Sequence, residues 1–362
     1  MHKKTLIFPA GMPRSLAYLY RALSEGVSVI GSSSVMHDSA RSDYPEWVYL
    51  PYITSESFDD CLSEVIRIHN ISDIFTPNPV VWNYFKEWIK RSSQTVSLIN
   101  GSPIDCEVAP YVQAKQFSKS VLENPLMLES ARGASPTISE LKLAALFRHS
   151  ETIPGMCDHE KIRALCELFR YAPKGDVVEI GSWWGKSAYI LMELASHYGV
   201  GSLLCVDPWS NEYLIQNDKG GLVDNISLNA SDAFEIFKIN LLPYASGNIN
   251  YMRLPSVKAV DKYCRSQSVA TDEFGVTNYN GGIAILHVDG NHSYENVRSD
   301  LLSWTRLVVP GGWIIVDDYV WPYGDGPKLV ADEFIRENIN KIQCAFVMGG
   351  AMFVGLKKIQ VN

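Results

Sequence analysis

The chain has 362 residues, of which 46% are hydrophobic, and this length and composition favour a globular protein with two domains. Lys and Arg number 32 against 40 Asp and Glu, and the net charge of −8 provides no overall cationic field, so nucleic-acid and membrane partners are disfavoured. The seven cysteines include no C-x-x-C pair, and no apolar run approaches the roughly 18 residues of a membrane span, so we expect a cytoplasmic protein with free thiols.

Residues 5–99 alternate short apolar runs with amphipathic stretches. Strand, helix and strand in sequence order indicate a parallel sheet with crossover helices, so we predict a smaller N-terminal Rossmann-like α/β domain over residues 1–100. The predicted strands are TLIFPAG, VSVIG, DIFTP and VSLI, and the predicted helices lie near 14–24, 56–69 and 80–91.

Residues 101–152 interrupt this alternation. We predict a helical linker there, with one helix near 111–123 and a second within GASPTISELKLAALFRHS. The second domain is predicted over residues 153–362, beginning at IPG.

The strand and helix alternation returns in the second domain with stronger signals. The chain ends in two apolar runs around Gly349 and Gly350, which predict a hairpin, so we expect a parallel sheet completed by an antiparallel strand pair. Polar insertions at 209–230, 264–282 and 320–327 are expected to shape a substrate pocket. The predicted strands are VVEI, SLLCVD, NINYMRL, IAILHVD and GGWIIVDD, and the predicted helices are HEKIRALCELFRYA, a helix from Ser187, 231–242, YENVRSDLLSWTRLV and 330–338.

The strand VVEI leads into a glycine loop, GSWWGKS. The spacing of its glycines indicates which kind of ligand the loop can bind. A phosphate-binding Walker A loop places four residues between its first glycine and the Gly-Lys-Ser, whereas three stand between Gly181 and Gly185. An ATPase that uses Lys186 is therefore a disfavoured alternative. In a dinucleotide fingerprint the second glycine lets the pyrophosphate approach the backbone, and Trp183 occupies that place.

The remaining pattern, E-x-G-x-x-x-G, suits S-adenosylmethionine. Glu179 can receive the ammonium of the cofactor, and the N–H groups at the helix start can bind its carboxylate. Asp207 ends the next strand, where a carboxylate can accept hydrogen bonds from both ribose hydroxyls. Taken alone, the glycine loop is also explained as a tight turn and Asp207 as a helix cap. The predicted cofactor-binding residues are Glu179, Gly181, Ser182, Gly185, Ser187, Asp207, Pro208, Trp209, Ser256 and Asp289, with Ser256 at the expected place of the adenine.

Residues from about 153 to 358 resemble the class I S-adenosylmethionine-dependent methyltransferases. The stretches VVEIGSWWGKSA, CVDPWS and HVDGNHSYENVRSDLLSWTRLVVPGGWIIVDDY resemble the macrocin-type and related small-molecule O-methyltransferases. This resemblance implies a sheet in the order 3-2-1-4-5-7-6 with strand 7 antiparallel, which the terminal hairpin would supply.

A second set of polar residues follows the fourth and fifth strands of this domain. Asp289 ends the fourth strand, His292 follows three residues later, and Asp317 and Asp318 end the fifth. Because the carboxyl ends of neighbouring parallel strands meet, these carboxylates should converge, and either their pKa values rise or a cation sits among them. Oxygen ligands without cysteine suit Mg²⁺. Asp300, on the following helix, is expected to be a solvated charge.

The resemblance to the macrocin-type enzymes implies that Asp289, Asp317 and Asp318 bind a metal and that His292 is the general base. The metal would hold and acidify a sugar or alcohol hydroxyl, and with His292 we count Asp289 among the catalytic residues. Plainer explanations are a cofactor contact for Asp289, a helix cap for Asp318, and a loop histidine bonded to Tyr294 or a carboxylate for His292.

We therefore expect an S-adenosylmethionine-dependent, Mg²⁺-assisted O-methyltransferase acting on a sugar or glycosylated small molecule, and a homo-oligomer is a possible assembly of the chain. A metal-independent N- or O-methyltransferase and a binding protein that retains the scaffold are the alternatives. Residues 1–100 faintly resemble the Rossmann-like lobe that precedes ATP-grasp domains, and we expect them to serve substrate recognition or assembly.

Overall fold

The computed structural model of the chain describes residues 4–129, 133–216, 218–227 and 229–358. The chain divides into two compact units, Met1–Val112 and Gln113–Asn362, each with its own main sheet. Both belong to the α/β class, as the sequence predicts. None of the described helices is long and apolar enough to cross a membrane.

The N-terminal unit has five parallel strands with three helices between them. Its elements are β1 (Lys4–Ile7), α1 (Pro13–Ser24), β2 (Ser28–Ser33), β3 (Trp47–Tyr49), α2 (Phe58–His69), β4 (Ile71–Phe75), α3 (Pro79–Arg91) and β5 (Ser97–Leu98). The strand order is β3-β2-β1-β4-β5, which confirms the predicted parallel sheet. The edge strand β3 was not predicted, because its three residues are partly exposed and form no apolar run.

Two helices follow this sheet in the chain, α4 (Pro103–Glu123) and α5 (Glu140–Ser150). Helix α4 begins eight residues before the predicted start at 111. Pro110 lies inside α4, and since proline favours the first turn of a helix, it imitates a helix start in the sequence. Helix α5 confirms the helix predicted within 133–150, and its Leu143 and Phe147 side chains are buried in the core of the C-terminal unit.

The C-terminal unit is built on a seven-stranded sheet. Its elements are α6 (His159–Tyr171), β6 (Asp176–Ile180), α7 (Lys186–Tyr198), β7 (Leu203–Val206), α8 (Ala230–Leu241), β8 (Ile249–Met252), α9 (Ser256–Arg265), β9 (Ser268–Thr271), β10 (Gly275–Asn278), β11 (Ile283–Val288), α10 (Tyr294–Trp304), β12 (Val308–Val316), α11 (Gly326–Glu337), β13 (Ile342–Met348) and β14 (Ala351–Leu356). The strand order is β13-β14-β12-β11-β6-β7-β8, and β14 is antiparallel to both neighbours. This order confirms the expected 3-2-1-4-5-7-6 sheet.

Helices cover both faces of this sheet. One apolar core lies under α6, α7 and α8, and the other lies under α9, α10 and α11. Strands β6 and β11 are buried along their whole length, which is why they read as apolar runs rather than as alternating patterns. The carboxyl ends of the parallel strands are thereby left as the edge at which polar residues can gather.

The segment 264–282 was expected to shape a substrate pocket, and this expectation is wrong. It contains the end of α9 and the antiparallel pair β9–β10. Its last residues are held by the buried Asp176 carboxylate, which accepts hydrogen bonds from the Tyr263 hydroxyl (2.5 Å) and from the Asn280 and Gly281 N–H groups (2.8 and 2.9 Å). Because Asp176 begins β6, the segment is anchored at the amino end of that strand, and it borders neither of the two cavities described below.

Candidate active site

The turn between β6 and α7 packs against the loop that follows β11. Gly181 has a φ of +83°, and a Cβ atom there would lie 2.0 Å from the carbonyl oxygen of Asp289. Gly185 has a φ of +90° and is the N-cap residue of α7. Glycine at these two positions lets the turn reach the β11 loop and presents the first N–H groups of α7 at the carboxyl edge of the sheet.

Glu179 lies at the floor of this edge and is fully buried. Its Oε1 atom is 3.1 Å from Nδ1 of His287, which faces it in register on β11. Its Oε2 atom has no hydrogen-bond partner within the described part of the chain. A buried carboxylate oxygen without a partner is costly, so this atom is suited to receive a donor from a ligand.

Asp207, at the end of β7, fixes the two loops beside it. Its carboxylate accepts hydrogen bonds from the N–H groups of Trp183 (3.1 Å) and Trp209 (2.7 Å). Burial raises the pKa of this carboxyl to about 6, although the two N–H groups oppose the rise. The Trp209 indole is buried against Phe234 and Phe237, and its N–H donates to the Trp183 carbonyl (2.9 Å).

The other predicted cofactor residues lie along the same loops. Ser182 and Ser187 are buried, and Pro208 is partly exposed. Lys186, the lysine of the Walker-like sequence, forms an ion pair with Glu151 (2.9 Å). That pairing engages its ammonium, which gives the ATPase alternative no support.

Ser256 begins α9 and lies next to α10. Its hydroxyl accepts a hydrogen bond from the Trp304 indole N–H (2.8 Å). Asp300 on α10 is 8% exposed, so the expectation of a solvated charge is wrong. Burial raises the pKa of Asp300 to about 6, and a hydrogen bond from Ser256 opposes this rise.

The acidic residues of β11 and β12 converge in two overlapping groups. The first contains His287, Asp289 and Asp317, and the second contains Asp289, His292 and Asp318, with possible ligand atoms within 4.8 Å of one another in each. Asp318 has a φ of +51°, a conformation that turns the chain sharply after β12. The structure therefore brings Asp289 close to both neighbours but places Asp317 and Asp318 in different groups.

A lysine that the sequence analysis missed lies among these carboxylates. Lys161 of α6 is 1% exposed and forms ion pairs with Asp317 and with Asp289, whose Oδ2 is 3.6 Å from Nζ. Burial alone would lower the pKa of Lys161, but the two carboxylates outweigh it and hold that pKa well above its usual range. Burial and the charge of Asp317 raise the pKa of Asp289, whereas Lys161 overcomes burial and lowers the pKa of Asp317.

The sequence analysis missed two residues of the site, Lys161 and His287, and each leaves a signal in the sequence. Lys161 stands one helical turn before Leu165, on the buried face of α6. His287 interrupts the apolar run of β11, is fully buried, and lies 3.8 Å from Asp317 through Nε2. A titratable residue in an otherwise apolar helix face or central strand indicates a buried partner, because an unpaired buried charge is costly.

His292 connects the acidic residues to an open cavity. Its Nε2 atom is 2.8 Å from Asp318, and its ring centroid is 4.5 Å from that of Trp321. His292 and Trp321 line a cavity of about 470 Å³. Asp317 and Asp318 line a second cavity of about 690 Å³. Gln216 lines the first cavity, and its side-chain amide oxygen accepts a hydrogen bond from the His292 N–H (2.8 Å).

Comparison with known proteins gives one family match. Residues 178–319 match the family model described as a methyltransferase domain. This stretch includes Glu179, Asp207, Asp289 and the acidic pair after β12. No curated protein matches the sequence.

Several solved structures show distant similarity. The O-methyltransferase NovP has 15% identity over 70% of this chain and 99% of its own, with a TM-score of 0.35. CalS11, described as a TDP-rhamnose 3′-O-methyltransferase of calicheamicin biosynthesis, has 13% identity over 71% and 96%, with a TM-score of 0.38. MycE, a methyltransferase of the mycinamycin pathway solved with Mg and SAH, has 15% identity over 73% and 63%, with a TM-score of 0.37. Residues 178–319 are thus similar to a methyltransferase domain, and they lie in a sheet whose strand order is the one that the sequence analysis expected.

Proposed function

We propose that the C-terminal unit transfers a methyl group from S-adenosylmethionine to a hydroxyl group of a small molecule, a sugar or a glycosylated metabolite. The observation that carries this proposal is the carboxylate of Glu179. It is fully buried beside a glycine turn and a helix start, and its Oε2 atom has no partner among the residues described. The ammonium of the cofactor would satisfy this oxygen and remove the cost of leaving it unpaired.

The proposed cofactor site follows the carboxyl ends of β6, β7 and β11. The N–H groups that open α7 after Gly185 would bind the cofactor carboxylate. The two oxygens of Asp207 offer about four acceptor positions, which the backbone N–H groups beside it do not fill, so Asp207 can still accept hydrogen bonds from the ribose hydroxyls. Trp209 would act by holding this loop in place. The remaining proposed cofactor contacts are Gly181, Ser182, Ser187, Pro208, Ser256 and Asp289.

Mg²⁺ fits the outer part of the acidic group. The side chains of Asp289 and Asp318 are 23% and 33% exposed, which leaves room for the water molecules that Mg²⁺ retains. Asp317 is 9% exposed and paired with Lys161, so we propose Asp289 and Asp318 as the principal ligands and Asp317 as a weaker third. When bound, the ion would lower the pKa of an acceptor hydroxyl.

We propose that His292 takes the proton from that hydroxyl. A proton on Nε2, shared with Asp318, would leave Nδ1 as the acceptor that a general base needs. This Nδ1 atom is buried and has no hydrogen-bond partner among the described residues. The Trp321 ring beside it offers an apolar face on which a sugar ring can lie.

A metal-independent methyltransferase acting on oxygen or nitrogen is the second candidate. The observation in its favour is Lys161, which already supplies a positive charge to Asp317 and Asp289. In that case His292 would act alone on the acceptor, and turnover would be insensitive to EDTA.

For the rest of the chain we propose an N-terminal domain over 1–100 that serves substrate recognition or assembly, a helical linker over 101–152 and a catalytic domain over 153–362. The separate sheet and core of the N-terminal unit support a module with a role of its own. The seven free cysteines support a cytoplasmic location.

The cofactor proposal is tested by calorimetric titration of the wild type, Glu179→Gln and the control Glu193→Gln with S-adenosylmethionine, S-adenosylhomocysteine, ATP and NAD. We expect the two sulfur nucleosides alone to bind the wild type, and Glu179→Gln to weaken S-adenosylmethionine binding at least about tenfold, because a charged hydrogen bond is lost. Glu193 lies on α7, and its replacement should leave binding unchanged. Binding of ATP, or unchanged affinity in Glu179→Gln, would overturn the proposal.

Methyl transfer itself is tested with a radiolabelled cofactor methyl group and a panel of sugar acceptors, with Mg²⁺ and with EDTA. Loss of turnover in EDTA that Mg²⁺ restores is the expected result. Turnover that survives EDTA would replace the metal-assisted reaction with the second candidate.

A further inference from the structure

We infer that Lys161 is the resident cation of the acidic group formed by Asp289, Asp317 and Asp318, and that it lowers the affinity of this group for divalent ions. Lys161 is thus a positioning residue that fixes how many carboxylates an ion can use. The inference concerns the metal site and rests on that part of the proposed function. Its test uses neither the cofactor nor the acceptor, so its outcome does not depend on whether the chain transfers a methyl group.

The backbone at Lys161 is held firmly at the start of α6. Its N–H donates to the Asp158 side chain, which caps the helix (2.8 Å). The turn between β13 and β14 packs against the same part of α6, because a Cβ atom at Gly349 would lie 2.3 Å from the backbone nitrogen of Lys161. The Lys161 side chain therefore extends from a fixed backbone position, and it is 1% exposed.

The ammonium of Lys161 divides the three carboxylates. Asp317 pairs with it directly and is bordered on its other side by Nε2 of His287 at 3.8 Å. Asp289 lies 3.6 Å from the ammonium but also belongs to the partly exposed group with Asp318. An ion entering from solvent therefore finds Asp289 and Asp318 available and Asp317 already paired.

A buried ammonium close to an ion site repels the ion. At a separation of a few ångströms and the effective dielectric of a protein interior, two like charges interact far more strongly than in water. The attraction between Lys161 and its carboxylates is largely offset by the cost of removing these charges from water, so the intact pair is weak evidence for a role in stability. We therefore expect Lys161 to affect ion binding. A neutral residue of equal length would leave Asp317 free to bind the ion and would remove the repulsion between the ammonium and the ion.

The test is a titration of the full chain with Mn²⁺, followed by the electron paramagnetic resonance signal of the free ion. Lys161→Met is expected to bind Mn²⁺ at least about tenfold more tightly than the wild type. Lys161→Arg keeps the charge and should remain within about threefold of the wild type, as should Lys258→Met on the exposed face of α9. Equal or weaker binding in Lys161→Met overturns the inference.

Removing Lys161 leaves Asp317 buried without its partner, and the variant can fail to fold for that reason alone. Lys161→Gln is the second variant, since its amide can donate a hydrogen bond to Asp317. If either variant folds only when Mn²⁺ is present, as judged by circular dichroism, the ion has replaced the lysine and the inference is supported. If neither folds at saturating Mn²⁺ while Lys161→Arg does, the inference is overturned.

Discussion

Asp300 makes the stability of the C-terminal unit depend on pH. Its side chain is 8% exposed, and burial raises the pKa of its carboxyl from 3.8 to about 6, against the hydrogen bond from Ser256. Because the folded chain binds this proton more tightly than the unfolded chain, its contribution is most favourable below pH 4 and is lost as the pH rises from about 4 to about 6. A shift of two units corresponds to about 3 kcal/mol.

The substitution Asp300→Asn removes this titration and keeps the size of the side chain. The free energy of unfolding of the variant, minus that of the wild type, should therefore increase by about 3 kcal/mol between pH 4 and pH 7. Urea denaturation followed by circular dichroism at several pH values measures this difference. Asp261→Asn, on the exposed part of α9, is the control and should show no such trend. A difference for Asp300→Asn that stays constant within about 0.5 kcal/mol would refute the reasoning from burial.

Four further substitutions test the anchor, the turn and the acceptor site. Asp176→Ala should lower the free energy of unfolding by about 3 kcal/mol or more, since three neighbouring donors lose their buried acceptor, and urea denaturation measures it. Gly181→Ala should abolish cofactor binding in calorimetry, whereas Gly275→Ala, which has a similar positive φ but open space around it, should not. His292→Gln should reduce kcat about a hundredfold or more without changing cofactor affinity. Trp321→Ala should raise the acceptor KM about tenfold with kcat nearly unchanged, in assays with any sugar that the wild type methylates.

The sheet of the C-terminal unit was predictable because its central strands are buried on both faces. Continuous apolar runs such as DVVEI and IAILHV mark such strands, and the helices between them fix the parallel direction. The pair β9–β10 was not predictable in the same way. Its residues, SVAT and GVTN, are short and polar, and the pair is held by Asn250, whose amide donates to the carbonyls of Val269 (3.0 Å) and Gly275 (2.9 Å). Such side-chain anchors have no periodicity.

The convergence of Asp289 with Asp317 and Asp318 was predictable from topology alone. Each residue ends one of two adjacent parallel strands, so their positions follow from the strand order. Topology does not predict which carboxylate receives which partner. That depends on Lys161 and His292, which reach the site from a helix and a loop whose positions are decided by packing.

The charges around these three carboxylates show why an acidic strand-end signature does not by itself identify a metal site. Each anion needs compensation, and the structure supplies it from different parts of the chain: Lys161 pairs with Asp317, and His292 pairs with Asp318. Asp289 belongs to both acidic groups and lies 3.6 Å from the Lys161 ammonium, so its negative charge is the least compensated of the three. If the proposed metal site is correct, its affinity for an ion would depend on how much positive charge α6 already contributes. In the proposed metal site, Lys161 on α6, outside the sequence stretch that carries the signature, would therefore set how strongly the same three aspartates bind a divalent ion.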